Sequence, residues 1–183
     1  IVPRSRSFSV PGRCAICNDD VAFAVTVDEG RDTPNWREYL ICPNCRLSNR
    51  MRASLHLALQ DLGLRRDSEI YITEQFGFYY RWLRGRSSHL QGSEYLPSGL
   101  PSLFRLLGAK HQDIQKISLP SDSVDYVLTF DVMEHIPNPE MAFHHFARVL
   151  RPGGRLIMTA PFTIDKYNST IRAVMNDDGT VEN

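Results

Sequence analysis

The pattern of apolar and polar positions changes along the chain from irregular to periodic. Residues 1–46 are turn-rich, as in the stretch 28–35, and predict an irregular module. Residues 47–63 place Met51, Leu55, Ala58 and Leu62 at helical spacing, and Gly63 is the expected stop of that helix. Strand-like and helix-like segments then alternate from residue 67 to residue 162.

The alternating part predicts an α/β fold. Its strand-like segments are 69–74, 90–94, 126–130 and 155–160, and its helix-like segments are 78–86, 100–107 and 139–150. Strands that take turns with helices over short connections imply a Rossmann-like, doubly wound and mostly parallel sheet with helices on both faces. The tail 163–183 is polar and without periodicity, so we expect the carboxyl-terminal strands of such a fold to be missing.

The helix at 139–150 has the clearest signals. Asn138 can cap it, Pro139 suits its first turn, Glu140 favours its positive end, and Gly153 lies just past its close. Its predicted buried face consists of Ala142, Phe146, Val149 and Leu150. The aromatic residues of the helix at 78–86, Tyr79, Tyr80 and Trp82, are predicted to pack rather than to form a substrate cage.

Composition narrows the class of protein. The hydrophobic share of 42% and the charged share of 23% are typical of a soluble globular protein. No apolar run approaches the ~20 residues that span a bilayer, and the start has no signal-peptide core, so we expect a cytoplasmic protein without a membrane partner. The first residue is Ile1 rather than Met, which suggests a piece of a longer protein.

The four cysteines of the chain form two pairs of the Cys-x-x-Cys kind. They are Cys14, Cys17, Cys42 and Cys45, with 24 residues between the pairs. Two such turns can complete a tetrahedron of sulfur around Zn²⁺, and we predict a structural zinc site, since four protein ligands leave no open position for chemistry. Free buried cysteines and a redox pair are the alternatives. The predicted organisation is a knuckle-like or ribbon-like zinc module at 1–46, a linking helix at 47–66, and a Rossmann-like domain at 67–183 that is incomplete at its carboxyl end.

A basic segment follows the second cysteine pair. It contains Arg46, Arg50 and Arg52, and we predict a solvated helix start there. The alternative is an anion contact, to RNA phosphate or another acidic substrate. Lys plus Arg equals Asp plus Glu at 21 each, whereas dedicated nucleic-acid binders usually carry a basic excess.

Acidic residues end the first two predicted strands of the alternating part. Ligands of open parallel sheets bind at the carboxyl ends of the strands, near the switch in strand order. Glu94 closes the second strand, 20 residues after Glu74, where an acid can accept hydrogen bonds from ribose hydroxyls. These two carboxylates therefore predict a nucleoside-binding rim.

Three later segments resemble a known family. Residues 119–128 (LPSDSVDYVL) resemble its "LPF-D-S-FD-V" stretch, residues 130–136 (FDVMEHI) its "vLEHI" segment, and residues 148–156 (RVLRPGGRL) its "RVLKPGG-L" signature. In this order, and over about residues 68–162, they are similar to class I S-adenosylmethionine-dependent methyltransferases of type 11. The resemblance implies S-adenosylmethionine as cofactor and S-adenosylhomocysteine as product.

The resemblance also implies a map of the cofactor site. The methionine part would lie against the loop after the first strand, the ribose against Glu94, the adenine against Tyr95 and the segment of Asp113, and the sulfonium near the end of the fourth strand. The implied cofactor-binding residues are Glu74, Gln75, Phe76, Gly77, Glu94, Tyr95, Asp113, Ile114, Phe130 and Asp131.

The chain departs from the family in the loop after the first strand. That loop is usually rich in glycine, because backbone must approach the cofactor where side chains would collide. Here only Gly77 is present, and Phe76 either covers the methionine part or obstructs it. A catalytically degenerate cofactor-binding or scaffold protein is therefore an alternative to an active enzyme.

Methyl transfer needs alignment of the acceptor and sometimes a base. His135 is the candidate catalytic residue, although a base must reach the reacting proton, and a backbone-bonded residue at the next helix turn is the preferred interpretation. We predict a small-molecule or glycan oxygen as the acceptor. The alternative is RNA gripped by the zinc module, as in some rRNA guanine methyltransferases. The sequence leaves the oligomeric state open.

Overall fold

The computed structural model describes residues 6–96 and 108–161 together with 174–175 and 181–182. The predicted helix at 100–107 and most of the tail lie outside these residues. The described residues belong to two compact units, the first with residues 6–69 and 75–90, the second with residues 70–74 and those from 91 onward. The predicted domain boundaries at 46 and 66 stay a prediction.

The first unit begins with a long hairpin. Strands β1 (Arg6–Cys14) and β2 (Asp19–Val27) pair antiparallel over their whole lengths, so the expectation of an irregular module is wrong there. Successive residues of β2 alternate between buried and more exposed, as is typical of a strand: Phe23, Val25 and Val27 are buried, and the residues between them are more exposed. Pro11 and Gly12 obscured β1, but an edge strand tolerates both.

The predicted helix at 47–63 consists of two pieces. Helix α1 (Asn49–His56) continues into a π-helical turn, Leu57–Asp61, and Leu55 and Ala58 are buried as the spacing indicated. Gly63 has a φ of 73°, and the amide of Leu64 donates to the carbonyl of Ala58 at 2.8 Å. This left-handed turn with a bond back over six residues confirms Gly63 as the stop.

The predicted α/β sheet is confirmed. Its strands are β3 (Glu69–Ile72), β4 (His89–Gly92), β5 (Val124–Phe130) and β6 (Leu150–Thr159), in the spatial order β4-β3-β5-β6. Strand β5 runs parallel to both β3 and β6. Helix α2 (Phe78–Arg84) lies between β3 and β4 in the chain. Because the chain passes from β3 to β4 on one side and then returns to β5 on the other, the switch in strand order lies between β3 and β5.

Helix α3 (Pro139–Val149) begins as predicted. The side chain of Asn138 accepts a hydrogen bond from the amide of Met141 at 3.1 Å. Its buried residues Ala142, Phe146 and Val149 share a core with β5, whereas Leu150 is only partly buried. Leu150 is already extended and opens β6, so Gly153 lies inside that strand and does not cap the helix.

Short elements complete the description. Two 3₁₀ turns cover Ile114–Lys116 and Met133–His135, and β7 (Val174–Met175) pairs antiparallel with β8 (Val181–Glu182). Among the described residues, no helix is long and apolar enough to cross a bilayer.

Candidate functional site

The two cysteine pairs adopt the same backbone turn. After the first pair, the amide of Asn18 donates to the carbonyl of Cys14 at 2.7 Å, and after the second, the amide of Arg46 donates to that of Cys42 at 2.9 Å. Asn18 and Arg46 both have positive φ, 55° and 64°. Each turn thus ends in a left-handed residue, which directs both sulfurs of the pair to the same side.

The four sulfurs converge on one point. All four Sγ atoms lie within 4.8 Å of one another, with 3.8 Å between Cys17 and Cys42 and 4.0 Å between Cys14 and Cys45. Disulfide sulfurs would be about 2.05 Å apart, whereas a tetrahedral zinc ion with bonds of about 2.3 Å separates its sulfurs by about 3.8 Å. The cluster therefore has the spacing of a tetrahedral metal site.

The surroundings of the four sulfurs shift the pKa values of the cysteines in different directions. Burial raises the pKa of Cys45 to about 11, and it raises the pKa of Cys17 as well. Burial also opposes ionisation of Cys42, but hydrogen bonds from the backbone amides of Cys45 and Asn44 outweigh it and lower the pKa of Cys42. A cation among the sulfurs would stabilise the thiolate form of all four.

The second cysteine pair is tied to the hairpin. Ala24 and Ile41 exchange two backbone hydrogen bonds of 2.9 Å, and the side-chain amide of Asn44 donates to the carboxylate of Asp19 at 3.0 Å. Cys14, Phe23 and Cys42 form the buried centre of this part of the first unit. The hairpin therefore carries both pairs on one scaffold.

Two of the three arginines after the second pair form internal contacts. The predicted solvated helix start is therefore wrong for Arg50 and Arg52. Arg52 is buried, donates to the carbonyls of Leu40 and Leu47, and lies 4.3 Å above the ring of Phe23. Arg50 holds Glu38 with two hydrogen bonds, of 2.9 Å and 3.2 Å. Only Arg46 is exposed as expected.

In the second unit, the backbone brings the three predicted carboxylates to one rim of the sheet. Glu74 follows β3, and the amide of Ser93 donates to the carbonyl of Ile72 at 3.2 Å, which sets Glu94 beside the end of β3. The amide of Glu94 donates to Lys110, and its carbonyl accepts from Gln112 at 3.1 Å. Asp113 is the next residue, so the segments of Glu74, Glu94 and Asp113 meet at the carboxyl ends of the strands.

A row of buried hydroxyl groups links the strands behind this rim. Tyr71 and Ser93 share a hydrogen bond of 2.8 Å, and Thr73 donates to Thr129 at 3.0 Å. All four residues are less than 10% exposed, and burial raises the pKa of Tyr71, so its phenol stays protonated. The row joins β4 to β3 and β3 to β5. Sequence reasoning missed these residues, because their partners are set by strand pairing.

Asp131 is fixed at the end of β5 by β6. Its amide donates to the carbonyl of Thr159 at 2.9 Å, and its Oδ1 accepts from the hydroxyl of Thr159 at 2.8 Å. Asp131 has a φ of 53°, a conformation that costs a non-glycine residue on the order of 1 kcal/mol. Phe130 before it is buried. The two predicted sulfonium-side residues thus lie at the same end of the sheet as Glu74.

The predicted adenine-side residues are close in space. Tyr95 is exposed and packs its ring 5.7 Å from that of His111, whose Nδ1 accepts from the amide of Leu96. Asp113 also has a local function, since its Oδ1 accepts from the amide of Gln115 at 2.9 Å and starts the 3₁₀ turn. Ile114 is buried in the core.

The remaining predicted residues are placed as follows. Gln75, Phe76 and Gly77 belong to the first unit, where Phe76 is 41% exposed and Gly77 precedes helix α2. His135 ends a 3₁₀ turn with a side chain that is 76% exposed, and its amide donates to Val132. These features of His135 match its interpretation as a turn residue, and its predicted catalytic role stays a prediction.

Comparison with known proteins gives a family match for part of the chain. Residues 77–158 match the family described as methyltransferase domain. A probable S-adenosylmethionine-dependent methyltransferase of Mycolicibacterium smegmatis is 36% identical over 52 residues, 28% of this chain and 20% of that protein. An uncharacterized 37.1 kDa protein in transposon TN4556 of Streptomyces fradiae is 43% identical over 49 residues, 27% of this chain and 14% of the relative. The chain thus covers a fifth or less of these curated relatives.

Two solved structures of bacterial proteins match part of this chain. An S-adenosylmethionine dependent methyltransferase from Mesorhizobium loti has a TM-score of 0.49 and 19% identity, over 70% of this chain and 62% of that chain. The YcgJ protein from Bacillus subtilis has a TM-score of 0.48 and 17% identity, over 58% and 49%. Residues 77–158 of this chain thus match the methyltransferase domain family that its sequence resembles.

Proposed function

We propose that the protein transfers a methyl group from S-adenosylmethionine to an oxygen of a small molecule or glycan. One observation carries the proposal. Within a chain that matches a methyltransferase domain, the segments of Glu74, Glu94 and Asp113 meet at the carboxyl rim of the sheet, next to the switch between β3 and β5. That is the position where open parallel sheets bind nucleotide-like ligands.

The proposed roles follow from this rim. Glu94 accepts hydrogen bonds from the ribose hydroxyls, Tyr95 covers the adenine, and Asp113 receives the adenine amino group. Phe130 and Asp131 line the sulfonium side. The chemistry of these donors and acceptors suits the cofactor, because carboxylates accept from hydroxyl and amino groups.

S-adenosylmethionine, when bound, supplies a methyl group on a positively charged sulfur. The chain itself needs to align the acceptor oxygen, exclude water and receive a proton. We assign the proton to the carboxylate of Asp131, because Thr159 fixes it at the end of β5, whereas the side chain of His135 points mainly into solvent.

The cysteine cluster is proposed to hold a structural zinc ion. Cys14, Cys17, Cys42 and Cys45 supply four sulfurs, which leaves no open position for a substrate or water. The ion would join the hairpin to the loop before α1. Its proposed function is therefore to stabilise the first unit.

The internal contacts of the module favour a small-molecule or glycan acceptor over RNA. Arg50 is engaged with Glu38, and Arg52 is buried against backbone carbonyls, so neither is available to grip phosphate. A test is the transfer of labelled methyl groups in a cell extract with and without ribonuclease. We expect the labelled product to survive the nuclease, and its disappearance would replace the proposed acceptor by RNA.

Calorimetric titration with S-adenosylhomocysteine tests the cofactor site. Glu94→Ala is expected to weaken binding about tenfold to a hundredfold, since two hydrogen bonds to a charged acceptor are lost. Glu29→Ala, at an exposed turn of the first unit, is the matched control and should bind like the wild type. Tight binding by Glu94→Ala contradicts the ribose assignment. Absence of binding by the wild type favours a catalytically degenerate scaffold protein.

A further inference from the structure

The chain beyond β4 is attached to a neighbouring segment through its backbone. The amide of Glu94 donates to the carbonyl of Lys110 at 2.8 Å, and the carbonyl of Glu94 accepts from the amide of Gln112 at 3.1 Å. These two bonds form a parallel bridge that pairs Glu94 with His111. All of these residues belong to the second unit, so the bridge lies within one unit. It fixes the backbone directly before Tyr95.

The side chain of His111 fixes the backbone directly after Tyr95. Its Nδ1 accepts a hydrogen bond from the amide of Leu96 at 3.0 Å. Because a ring nitrogen that accepts carries no proton, the imidazole is neutral and has its proton on Nε2. The residue before Tyr95 and the residue after it are therefore both bound to the segment 110–112.

The ring of His111 also lies against the ring of Tyr95. The two ring centroids are 5.7 Å apart, and the ring planes are inclined by 53°. This separation falls within the range of about 4.5–7 Å that is typical of aromatic pairs. Tyr95 is nevertheless 65% exposed, so most of its ring is open to a ligand. An open ring that is supported by a second ring and held by its backbone is suited to cover a planar group.

We infer that His111 is a positioning residue of the proposed cofactor site and that it fixes Tyr95 in the orientation that covers the adenine. The inference rests on the proposed function, in which Tyr95 has that role, and it adds a residue that acts through Tyr95 rather than on the cofactor. An aromatic side chain on an unsupported segment loses conformational freedom when a ligand binds, and this loss reduces the affinity. His111 removes part of the loss in advance, because both of its contacts are present without a ligand.

Substitutions at position 111 can separate the two contacts of the histidine. Alanine supplies neither the acceptor nor the ring. Asparagine supplies only the acceptor, since its Oδ1 is the same number of bonds from the backbone as the Nδ1 of histidine. Phenylalanine supplies only the ring. The three variants therefore show which contact holds the segment of Tyr95.

Amide hydrogen exchange of the unliganded protein tests the contact with Leu96. Mass spectrometry of a peptide that covers residues 94–96 should show exchange at least about threefold faster in His111→Ala and His111→Phe, and near the wild-type rate in His111→Asn, because only asparagine retains an acceptor for the amide. His56→Ala is the matched control, since His56 is an exposed histidine of the first unit, and it should exchange like the wild type. Circular dichroism verifies that the variants are folded.

Calorimetric titration with S-adenosylhomocysteine tests the consequence for the site. We expect His111→Ala to weaken binding about threefold to tenfold, because the ring of Tyr95 must then be ordered when the ligand binds. In a Tyr95→Leu background the ring is absent, and the same substitution should weaken binding less than about twofold. A general loss of structure would weaken binding equally in both backgrounds, so this double-mutant cycle distinguishes it from positioning.

Three results would overturn the inference. These are an unchanged exchange rate in His111→Ala, undiminished binding of S-adenosylhomocysteine by that variant, and equal weakening in the two backgrounds. Each of them leaves the proposed function intact as long as the wild type binds the ligand. Absence of binding by the wild type would refute the proposed function together with the role of His111 in it, while the exchange rates would still report whether His111 holds the segment 94–96.

Discussion

Two glycines of the signature 148–156 shape the connection between α3 and β6. Val124 pairs with Leu150 and Tyr126 with Arg155, so β6 accommodates extra residues between two pairs of the ladder. Gly153 lies in this irregularity and has a φ of 82°. At Gly154, an added Cβ would come within 2.9 Å of the carbonyl oxygen of Arg151 and 3.0 Å of the carbonyl oxygen of Asp125. The signature is therefore explained by backbone geometry, without a contact to a ligand.

Gly154→Ala is expected to destabilise the protein. The new methyl group would collide with two backbone carbonyl oxygens that cannot move aside cheaply, and overpacking of this kind costs about 1–3 kcal/mol. Urea denaturation measures the free energy of unfolding. Gly85→Ala is the control, because its Cβ would point into open space from a right-handed helical backbone, and it should be neutral or stabilising by up to about 1 kcal/mol. Equal stability of Gly154→Ala and wild type contradicts the prediction.

Single residues were predicted correctly where a local signal sets their position. Asn138 caps α3 and Gly63 ends the preceding helical segment, because a cap and a left-handed turn depend on near neighbours in sequence. The role of Arg52 was missed, because its carbonyl partners are fixed only after the loop at 40–47 has folded around the cysteines. The charge of an arginine in the sequence does not show whether its side chain is exposed to solvent or buried against backbone carbonyls.

Neighbouring strands of the sheet are joined by hydroxyl pairs as well as by the backbone ladder. Thr73, directly after β3, and Thr129 on β5 form such a pair beside the switch in strand order. Both are buried, so each hydroxyl loses water on folding and depends on the other. The pair fixes the strand ends that carry Glu74 and Asp131.

A double-mutant cycle tests the coupling of these strands. Thr129→Val should destabilise by about 1–3 kcal/mol, because it leaves the hydroxyl of Thr73 buried without its acceptor. Thr73→Val/Thr129→Val should recover part of that loss, since both polar groups are then replaced by methyl groups of similar shape. Chemical denaturation of the four proteins gives the coupling free energy. Additive effects of the two substitutions would show that the pair does not act as a unit.

The elements differ in how far the sequence determines them. Strand β5 and helix α3 were placed within a few residues, because their apolar periodicity and caps are continuous. Strand β1 was missed, because most of its residues are exposed and it is stabilised by pairing with β2. The positions of Glu74 and Glu94 at the rim could be predicted, because ligands of parallel sheets bind at the carboxyl ends of the strands. The hydroxyl pairs behind the rim could not be predicted, because they depend on the register between the strands.

At the scale of the whole molecule, the two units are stabilised in different ways. The second unit has a continuous apolar core around Val124, Val127 and Phe146, and burial of each such side chain contributes roughly 1.5–3 kcal/mol. The buried centre around the cysteines is small, since it consists of Cys14, Phe23 and Cys42 with a few partly buried apolar residues packed against it. A cluster of this size needs an additional source of stability, and a metal ion is the one that its sulfur geometry fits.

Removal of the metal is therefore expected to unfold the first unit in part. The purified protein should contain one zinc per chain, and binding of structural zinc by small modules contributes on the order of 10 kcal/mol. Helix α1 should lose order together with the hairpin, because Arg52 on that helix donates to the carbonyls of Leu40 and Leu47, which flank the second cysteine pair. Cys42→Ser should lose the zinc and lower the melting temperature, while Pro43→Ala, in the same turn but without a ligand atom, should keep both near wild type. Zinc content measured with a chromophoric chelator and helical circular dichroism report the two effects separately. One zinc per chain in Cys42→Ser, or unchanged helical signal after complete chelation of the wild type, would show that the ion does not hold this unit together.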